Sequence, residues 1–427
     1  MDMIYIAQND IVAKIQKEKT VNIQDKQSIG ALHKKTLPRR QVVKVLPKKA
    51  STLTEAFDYV DGYGKIRFGY FGSRFSEETQ QTQNSFGSAV GGIVGIKTAN
   101  YKGFSANAAA YISQDLPFLY DDDKTSFDFL TVEGKSFAYL AEVSLNYESE
   151  MIEAKVGRIA LDLPYANTDD LRMAQNTFEG VWGKLNFNEN ISSQVFYLQR
   201  WAGFDSQDEE AGFSQDEFKK LAEDSRGMIG VNVAYEYAQE GEVSFWYQNI
   251  ENFADIIYAE VNGVYDFNSV WHLDYGVQYA WICEDENSQI DGDVYGGMLI
   301  GHYKALFVTA AANFALVDEG KYITDGFGGG PYFTSLDEAT IAAASEALVG
   351  ENIDMYRTGI GYDIVNINSS FEYAYGYMNG ENTNIKEHDL IYTFNQDERI
   401  KTQIILTKYK AKTNKLNRVV ARIEYNF

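Results

Sequence analysis

Segments of about ten residues that alternate apolar and polar side chains recur from residue 62 to the C terminus, and this repetition constrains the fold most. The predicted strands are residues 62–71, 87–97, 104–112, 137–147, 151–159, 178–187, 191–201, 227–237, 242–250, 256–266, 270–282, 293–303, 306–316, 355–364, 367–377, 386–395, 399–409 and 418–427. Period-two alternation gives each strand one apolar and one polar face. No apolar run approaches the roughly 20 residues that a transmembrane helix needs, so any membrane crossing is by strands. We predict an all-β fold, a transmembrane antiparallel β-barrel of about 18 strands.

The lengths of the breaks between these segments support closure in a membrane. Breaks after even-numbered strands are short, whereas residues 113–136, 160–177, 202–226 and 317–354, which follow odd-numbered strands, are long. This strict alternation is typical of short periplasmic turns opposite long extracellular loops, with both termini in the periplasm. A soluble β-sandwich or propeller, which remains the alternative fold, has no need to sort loop length in this way.

Charge divides the chain into two parts. Residues 1–50 carry eleven Lys and Arg against four Asp and Glu, a net charge of +7. Since the whole chain has a net charge of −23, residues 51–427 have a net charge of −30. The first part is too basic and too poor in large apolar residues to form a core. We therefore predict a basic periplasmic extension over residues 1–50, helical near 10–20 and flexible after 30, followed by the barrel over 51–427. A short capped helix is expected at the start of the barrel, with Ser51 or Thr52 as the cap.

The faces of the strands predict a lipid-facing exterior and a wet interior. Aromatic side chains stand at both ends of apolar rows such as Trp271 to Trp281 and Tyr139 to Tyr147, as in the aromatic girdles of membrane barrels. The last segment ends in Phe427, which falls on the apolar face. A free C-terminal Phe on such a strand resembles the signature that the outer-membrane assembly machinery reads, so Phe427 is the candidate assembly signal.

Charged residues on the opposite faces predict two lumenal walls. Closure brings the first strand beside the last two, so their inward cations form a predicted basic wall of Lys65, Arg67, Arg399, Lys401, Arg418 and Arg422. Inward carboxylates on strands eight to eleven form a predicted acidic wall of Glu236, Glu242, Glu260 and Asp274. Such a transverse field gives a pore charge selectivity. Chance segregation of polar lumenal residues is the alternative explanation.

The segment GRIALDLPYANTDDLRMAQNTFEG, residues 157–180, is similar to the corresponding segment of the OprD-like outer-membrane porins. The matching elements are Gly157-Arg158, Asp162-Leu163-Pro164, Asp170 with Arg172, and Thr177 to Gly180; the TLTEAF stretch, GYGKIRFGYF and Phe427 are also similar. The resemblance extends loosely over residues 51–427, and the major porins of epsilonproteobacteria are related.

The resemblance implies a monomeric or trimeric diffusion channel whose 160–177 loop folds inward to narrow the lumen. On that basis the candidate constriction residues are Asp162, Asp169, Asp170 and Arg172. Alternatively, Arg172 pairs with Asp169 or Asp170 and only stiffens the loop.

Other motifs in the sequence are weaker. The carboxylates of residues 121–123 lack the spacing of a calcium loop, and the four His residues show no metal-ligand spacing. The glycine-rich residues 326–331 indicate a structured surface loop before a helix within 335–350, and a second loop helix is expected over 214–225. We predict no cofactor and no metal.

Together these features predict an outer-membrane porin for passive, charge-selective diffusion of small hydrophilic solutes and ions, with no enzymatic activity. A surface adhesin or an outer-membrane enzyme borne on the barrel is the alternative. The expected partners are outer-membrane lipid, the permeating solutes or ions, the assembly machinery and a possible homotrimer. Nucleic acid is disfavoured by the acidic barrel.

Overall fold

The structure, a computed structural model, describes residues 49–77, 82–116, 126, 128–208, 212–238, 240–396 and 399–427. The predicted helix near residues 10–20 and the carboxylates at 121–123 lie outside these residues. The strands are β1 (Asp61–Glu77), β2 (Gln83–Lys97), β3 (Phe104–Asp115), β4 (Phe137–Glu148), β5 (Ile152–Ile159), β6 (Thr177–Asn186), β7 (Ile191–Ala202), β8 (Lys219–Lys220), β9 (Met228–Ala238), β10 (Gly241–Ile250), β11 (Ala254–Asp266), β12 (Trp271–Glu284), β13 (Gly292–Tyr303), β14 (Leu306–Leu316), β15 (Ile353–Ile364), β16 (Ser369–Asn379), β17 (Asn384–Asn395), β18 (Ile400–Lys410) and β19 (Asn414–Asn426). The helices are α1 (Leu53–Asp58) and α2 (Ile341–Ala347), with 3-10 turns at Phe204–Ser206 and Val365–Ile367.

These strands form one antiparallel sheet that closes on itself. Each barrel strand pairs with the next, and β1 pairs with both β2 and β19, from Lys65 opposite Asn426 to Glu77 opposite Asn414. The two-residue β8 pairs only with the end of β7, and β7 pairs directly with β9. The predicted barrel of about 18 strands is therefore confirmed, with one short extra strand.

Side chains divide between the two surfaces of the barrel as the alternation predicts. Along β12, Trp271, Val277 and Trp281 are exposed on the outer surface, while Gln278 and Ala280 are buried inside. Closure leaves no sheet edge unpaired, which satisfies the backbone polar groups in a hydrocarbon environment. None of the described helices is long and apolar enough to span a bilayer.

A β-bulge corrects the predicted face of β4. The register between β3 and β4 shifts between Ala109 and Ala110, so that Ala141 has no partner. An unpaired residue reverses the inward and outward phase of the strand beyond it. Leu140 is consequently exposed, whereas Tyr139 lies inside with its ring 5.9 Å from that of Tyr111.

The loop lengths follow the prediction with one correction. The long connections 116–136, 160–176, 203–227 and 317–352 all lie at one edge of the barrel, opposite the short turns. Strict alternation is wrong, because the connections 251–253 and 411–413 at that same edge have only three residues each.

Of the three extra-barrel helices predicted within the described residues, two are present. Thr52 caps α1, its Oγ1 accepting a hydrogen bond from the Glu55 N–H, and α2 lies within residues 335–350. The predicted helix over 214–225 is wrong. There Lys219 pairs with the end of β7 and the Phe218 ring lies 4.3 Å from the Arg158 guanidinium, so contacts with the barrel override local helix propensity.

Candidate functional site

Two of the long loops fold into the lumen. Residues 163–169 of the 160–176 loop and residues 330–336 of the 317–352 loop are all buried. Burial of large side chains holds each loop inside, at about 1.5–3 kcal/mol for each large apolar side chain. The predicted inward-folded loop is confirmed, whereas the prediction that the glycine-rich residues 326–331 form a surface loop is wrong.

The two loops bind each other along their backbones. The Phe327 N–H donates to the Tyr165 carbonyl over 2.9 Å, and the Asn167 N–H donates to the Phe327 carbonyl over 3.1 Å. Gly326 has a φ of 76°, and a Cβ at this position would overlap the Tyr165 carbonyl, so only glycine permits this approach. The glycines of 326–331 thus serve close packing between loops.

The 317–352 loop is also anchored to the lumenal faces of three strands. Gln278 Nε2 on β12 donates to the Pro331 carbonyl over 2.8 Å, and Asn313 Oδ1 on β14 accepts from the Thr334 N–H over 3.1 Å. The Glu387 carboxylate on β17 accepts from the Ala339 N–H over 2.7 Å. Buried polar groups that are hydrogen-bonded in this way fix one loop conformation. The sequence marked none of these partners as loop anchors.

Asp170 attaches the 160–176 loop to the basic wall. Its carboxylate forms ion pairs with Lys65 and, over 2.9 Å, with Arg67, which is only 1% exposed and also pairs with Glu424 over 2.7 Å. Burial alone would raise the pKa of Asp170, but attraction by Arg67 and Lys65 outweighs burial and holds that pKa well below its usual range. Asp170 is therefore ionised at neutral pH.

Lys401 and Arg422 complete this cluster. Among the described residues neither has a carboxylate oxygen within 4 Å, and Arg422 donates instead to the Gln403 side chain over 2.5 Å and to the Asp170 carbonyl over 2.7 Å. We call Lys65, Arg67, Lys401, Arg422, Asp170 and Glu424 the seam cluster. It sets four cations against two carboxylates, a net charge of +2.

The other two members of the predicted basic wall lie apart from the seam cluster. Arg418 is further along β19 and is held by the 317–352 loop, through Asp337 over 2.5 Å and through Glu338. Arg399 lies exposed in the turn before β18, where its carbonyl accepts from the Asn426 N–H over 2.8 Å. The structure thus brings four of the six predicted cations together.

Arg172 pairs with neither of the carboxylates expected from the sequence. Its Nε donates to Asp128 over 2.8 Å, and its guanidinium lies 4.9 Å from the ring centre of Phe204. The alternative in which Arg172 pairs with Asp169 or Asp170 is therefore wrong. Arg172 instead ties the 160–176 loop to the neighbouring 116–136 and 203–227 connections.

The remaining constriction candidates lie within the loop. Asp162 accepts hydrogen bonds from the N–H of Thr168, over 3.2 Å, and from its hydroxyl, over 2.6 Å. Asp169 is buried, and both Asp169 and Asp325 interact electrostatically with Asp205. Burial, followed by repulsion from Asp169 and Asp325, raises the pKa of Asp205 well above its usual range. The sequence offered no signal for this carboxylate group, because its members come from three separate connections.

The predicted acidic wall is spread along neighbouring strands. Glu242 is half-buried on β10, and Glu260, 7% exposed on β11, accepts from the Tyr258 hydroxyl over 2.6 Å. Glu236 is exposed near the short turn after β9. Asp274 on β12 lies 3.2 Å from His302, a contact that sequence spacing did not indicate. These strands lie across the closed sheet from the seam cluster.

Arg158 and Glu179, which belong to the 157–180 motif, lie on the outer surface of the barrel. Arg158 is paired in register with the exposed Val143, and its Nε donates to Glu179 over 2.9 Å. Gly157, with a φ of 126°, provides the kink beside this pair. At the other end of the barrel, Phe427 is exposed and exchanges two 3.0 Å backbone hydrogen bonds with Gly64.

Comparison with known proteins agrees with this architecture. A sequence model of the outer membrane porins of the OprD family matches residues 104–319. The structure is similar to that of OccAB4 of Acinetobacter baumannii, with 16% identity, coverage of 86% of this chain and 98% of that one, and a TM-score of 0.70. It is also similar to OccK9 (OpdG) of Pseudomonas aeruginosa, with 14% identity, coverage of 87% and 100%, and a TM-score of 0.71.

A third similar structure is Pseudomonas aeruginosa OpdK with vanillate, at 13% identity, with coverage of 85% and 98% and a TM-score of 0.68. No curated protein matches the sequence. The closed barrel, the inward loops and the matched residues lead to one conclusion: the chain belongs to the OprD family of outer membrane porins, and it is a multi-pass β-barrel of the Gram-negative outer membrane through which small solutes diffuse.

Proposed function

We propose that this porin favours small anionic solutes, in particular carboxylates. The observation that carries the proposal is the net charge of +2 of the seam cluster, in which Lys401 and Arg422 have no carboxylate within 4 Å among the described residues. A cation held at a constriction of the lumen replaces part of the hydration that an anion loses on entry. Carboxylates are suited to Arg, whose planar guanidinium donates two parallel hydrogen bonds.

The constriction in this proposal lies where the 160–176 loop meets the seam cluster. Asp170 holds the loop against the barrel wall and Arg172 ties it to the neighbouring connections, while Asp162 and Asp169 shape the loop from within. The inward cations then line one side of the pathway. Glu236, Glu242, Glu260 and Asp274 line the opposite side and provide the transverse field that orients a permeating ion.

Reversal potentials in planar bilayers under a tenfold KCl gradient test the proposal. The double variant Lys401→Gln with Arg422→Gln removes the two cations that have no carboxylate within 4 Å among the described residues, so we expect the preference for chloride over potassium to fall or reverse. Arg418→Gln is the matched control, because Asp337 and Glu338 already neutralise this arginine. A wild-type channel that prefers potassium, or a double variant with an unaltered reversal potential, would refute the proposal.

Competition by solutes distinguishes carboxylates from other anions. Vanillate, the compound present in the OpdK structure, is an aromatic carboxylate and a suitable first probe. We expect vanillate to reduce the chloride current more than its neutral alcohol analogue does. Equal effects of the two compounds would contradict a carboxylate preference while leaving simple anion selectivity intact.

The remaining proposals concern the partners of the chain and its basic extension. We propose that Phe427 is read by the outer-membrane assembly machinery, because its side chain and the chain end are exposed beside β1. Deletion of Phe427 should reduce the folded yield in the outer membrane, and an unchanged yield would remove this role. A homotrimer and a periplasmic role for the basic residues 1–50 remain proposals; crosslinking in native membranes tests the former. None of these functions requires catalysis.

A further inference from the structure

A histidine pair faces the lumen near the short turns. His272 on β12 and His302 on β13 are directly opposite in the register, and their ring centres are 4.1 Å apart with an angle of 14° between the planes. Residues directly opposite on neighbouring strands have their Cβ atoms about 4.5–5.5 Å apart, which fixes this proximity through the backbone. The pair is therefore set by strand register rather than by a mobile loop.

A carboxylate completes the group. Asp274 lies two residues after His272, on the same face of β12, and its Oδ2 is 3.2 Å from His302 Nε2. One ligand atom from each of the three residues lies within 4.8 Å of the others. His302 is 8% exposed and Asp274 is 25% exposed, so the group is bounded by the wall and open to the lumen.

We infer that His272, Asp274 and His302 form a binding site for a divalent transition metal ion of the zinc type. Two imidazoles and one carboxylate are ligands that zinc accepts, at about 2.0–2.2 Å from the ion, with a fourth position left for water or solute. Calcium and magnesium prefer all-oxygen sites and are disfavoured by this donor set. The nearly parallel rings must tilt so that both nitrogens point at one ion, a movement that needs only side-chain rotation.

The surroundings supply the outer contacts that such a site uses. Asp266 on β11 is opposite His272 in the register, and Asp363 on β15 interacts electrostatically with His302. Carboxylates beside metal-bound imidazoles orient the rings and increase their basicity. Phe307 is 2% exposed and packs 6.1 Å from the His302 ring centre, which limits the freedom of that ring.

A bound ion at this position would add positive charge inside the pore on the side of the acidic wall. It would weaken the transverse field and obstruct the pathway near the short turns. The site thus gives the channel a response to transition metals that uses none of the residues of the seam cluster.

Single-channel recording of tag-free protein with added zinc chloride tests the inference. We expect zinc to produce blocking events or a lower mean current that a chelator reverses, while magnesium and calcium at the same concentration do not. In His302→Asn and His272→Asn, block should require at least about tenfold more zinc. His388→Asn is the matched control, because this histidine lies on the outer face of β17 next to Tyr373.

A second measurement does not depend on the variants. Equilibrium dialysis of the folded wild-type protein should find one bound zinc ion per chain. This ion should exchange with free zinc, and added magnesium should not displace it. Absence of stoichiometric zinc would overturn the inference. The inference would also be overturned if zinc blocked the wild type and His302→Asn equally, or if His388→Asn lost the zinc block to the same extent as His302→Asn.

Discussion

Replacing Asp170 with Asn tests how the seam cluster combines mechanical and electrostatic roles. Asn preserves the shape of the side chain and removes its charge. Lys65 loses its ion pair, and Arg67 keeps only Glu424. The seam cluster then has four cations against one carboxylate, so its net charge rises from +2 to +3.

The magnitude of both effects follows from the geometry. Removing one partner of a fully buried ion pair costs about 3–5 kcal/mol, and the 24% exposure of the Asp170 side chain reduces this to about 2 kcal/mol of stability. An anion passing about 8 Å from the removed charge gains about 0.5 kcal/mol at the dielectric constant of water and about 2 kcal/mol at an effective value of 20. At least about a twofold rise in anion-to-cation permeability is expected.

Reversal potentials and current noise in planar bilayers measure the two effects separately. Weaker anchoring of the 160–176 loop should increase current fluctuations, while the removed charge should make the channel more anion-selective. Asp170→Glu keeps the charge and controls for altered packing. Glu189→Gln removes one negative charge from an exposed short turn and controls for net charge outside the lumen.

One result would refute the reasoning. If Asp170→Asn shifts the reversal potential no more than Glu189→Gln does, the seam cluster does not set the field that a permeating ion experiences. If selectivity changes without any increase in current noise, Asp170 contributes charge but does not anchor the loop.

Two further predictions concern stability. Because the folded-state pKa of Asp205 is raised, its stabilising contribution is fully present below the ordinary Asp pKa of about 3.9 and is lost as pH rises through the folded-state value. The unfolding temperature of Asp205→Asn should therefore match that of the wild type near pH 3.5 and exceed it at pH 8. Equal unfolding temperatures at pH 8 would contradict this. Gly92 has a φ of 121°, and a Cβ there would overlap the Lys65 carbonyl, so Gly92→Ala should destabilise the barrel by about 1–3 kcal/mol. Gly301→Ala, where a Cβ meets open space, should not destabilise it. Heat-modified mobility on gels compares the stability of the two variants.

The strands and the surfaces that they present could be predicted from the residue pattern. Alternation of apolar and polar side chains is a local property with period two, so β14 at Leu306–Leu316 matches its predicted bounds and Trp271 and Trp281 are exposed as predicted. The inward cations Lys401 and Arg422 could be assigned to one wall for the same reason. Closure of the barrel adds only one requirement, that the first strand pairs with the last.

The contacts between residues of different elements depend on the tertiary structure. Arg172 pairs with Asp128 rather than with its sequence neighbours, Phe218 packs on Arg158 where a helix was expected, and His272 meets His302 across a strand pair. These contacts join residues that are distant in the chain or depend on strand register. Local patterning carries no information about which loop side chain reaches which wall, because loop conformation is set by the burial and hydrogen bonds available once the barrel has closed.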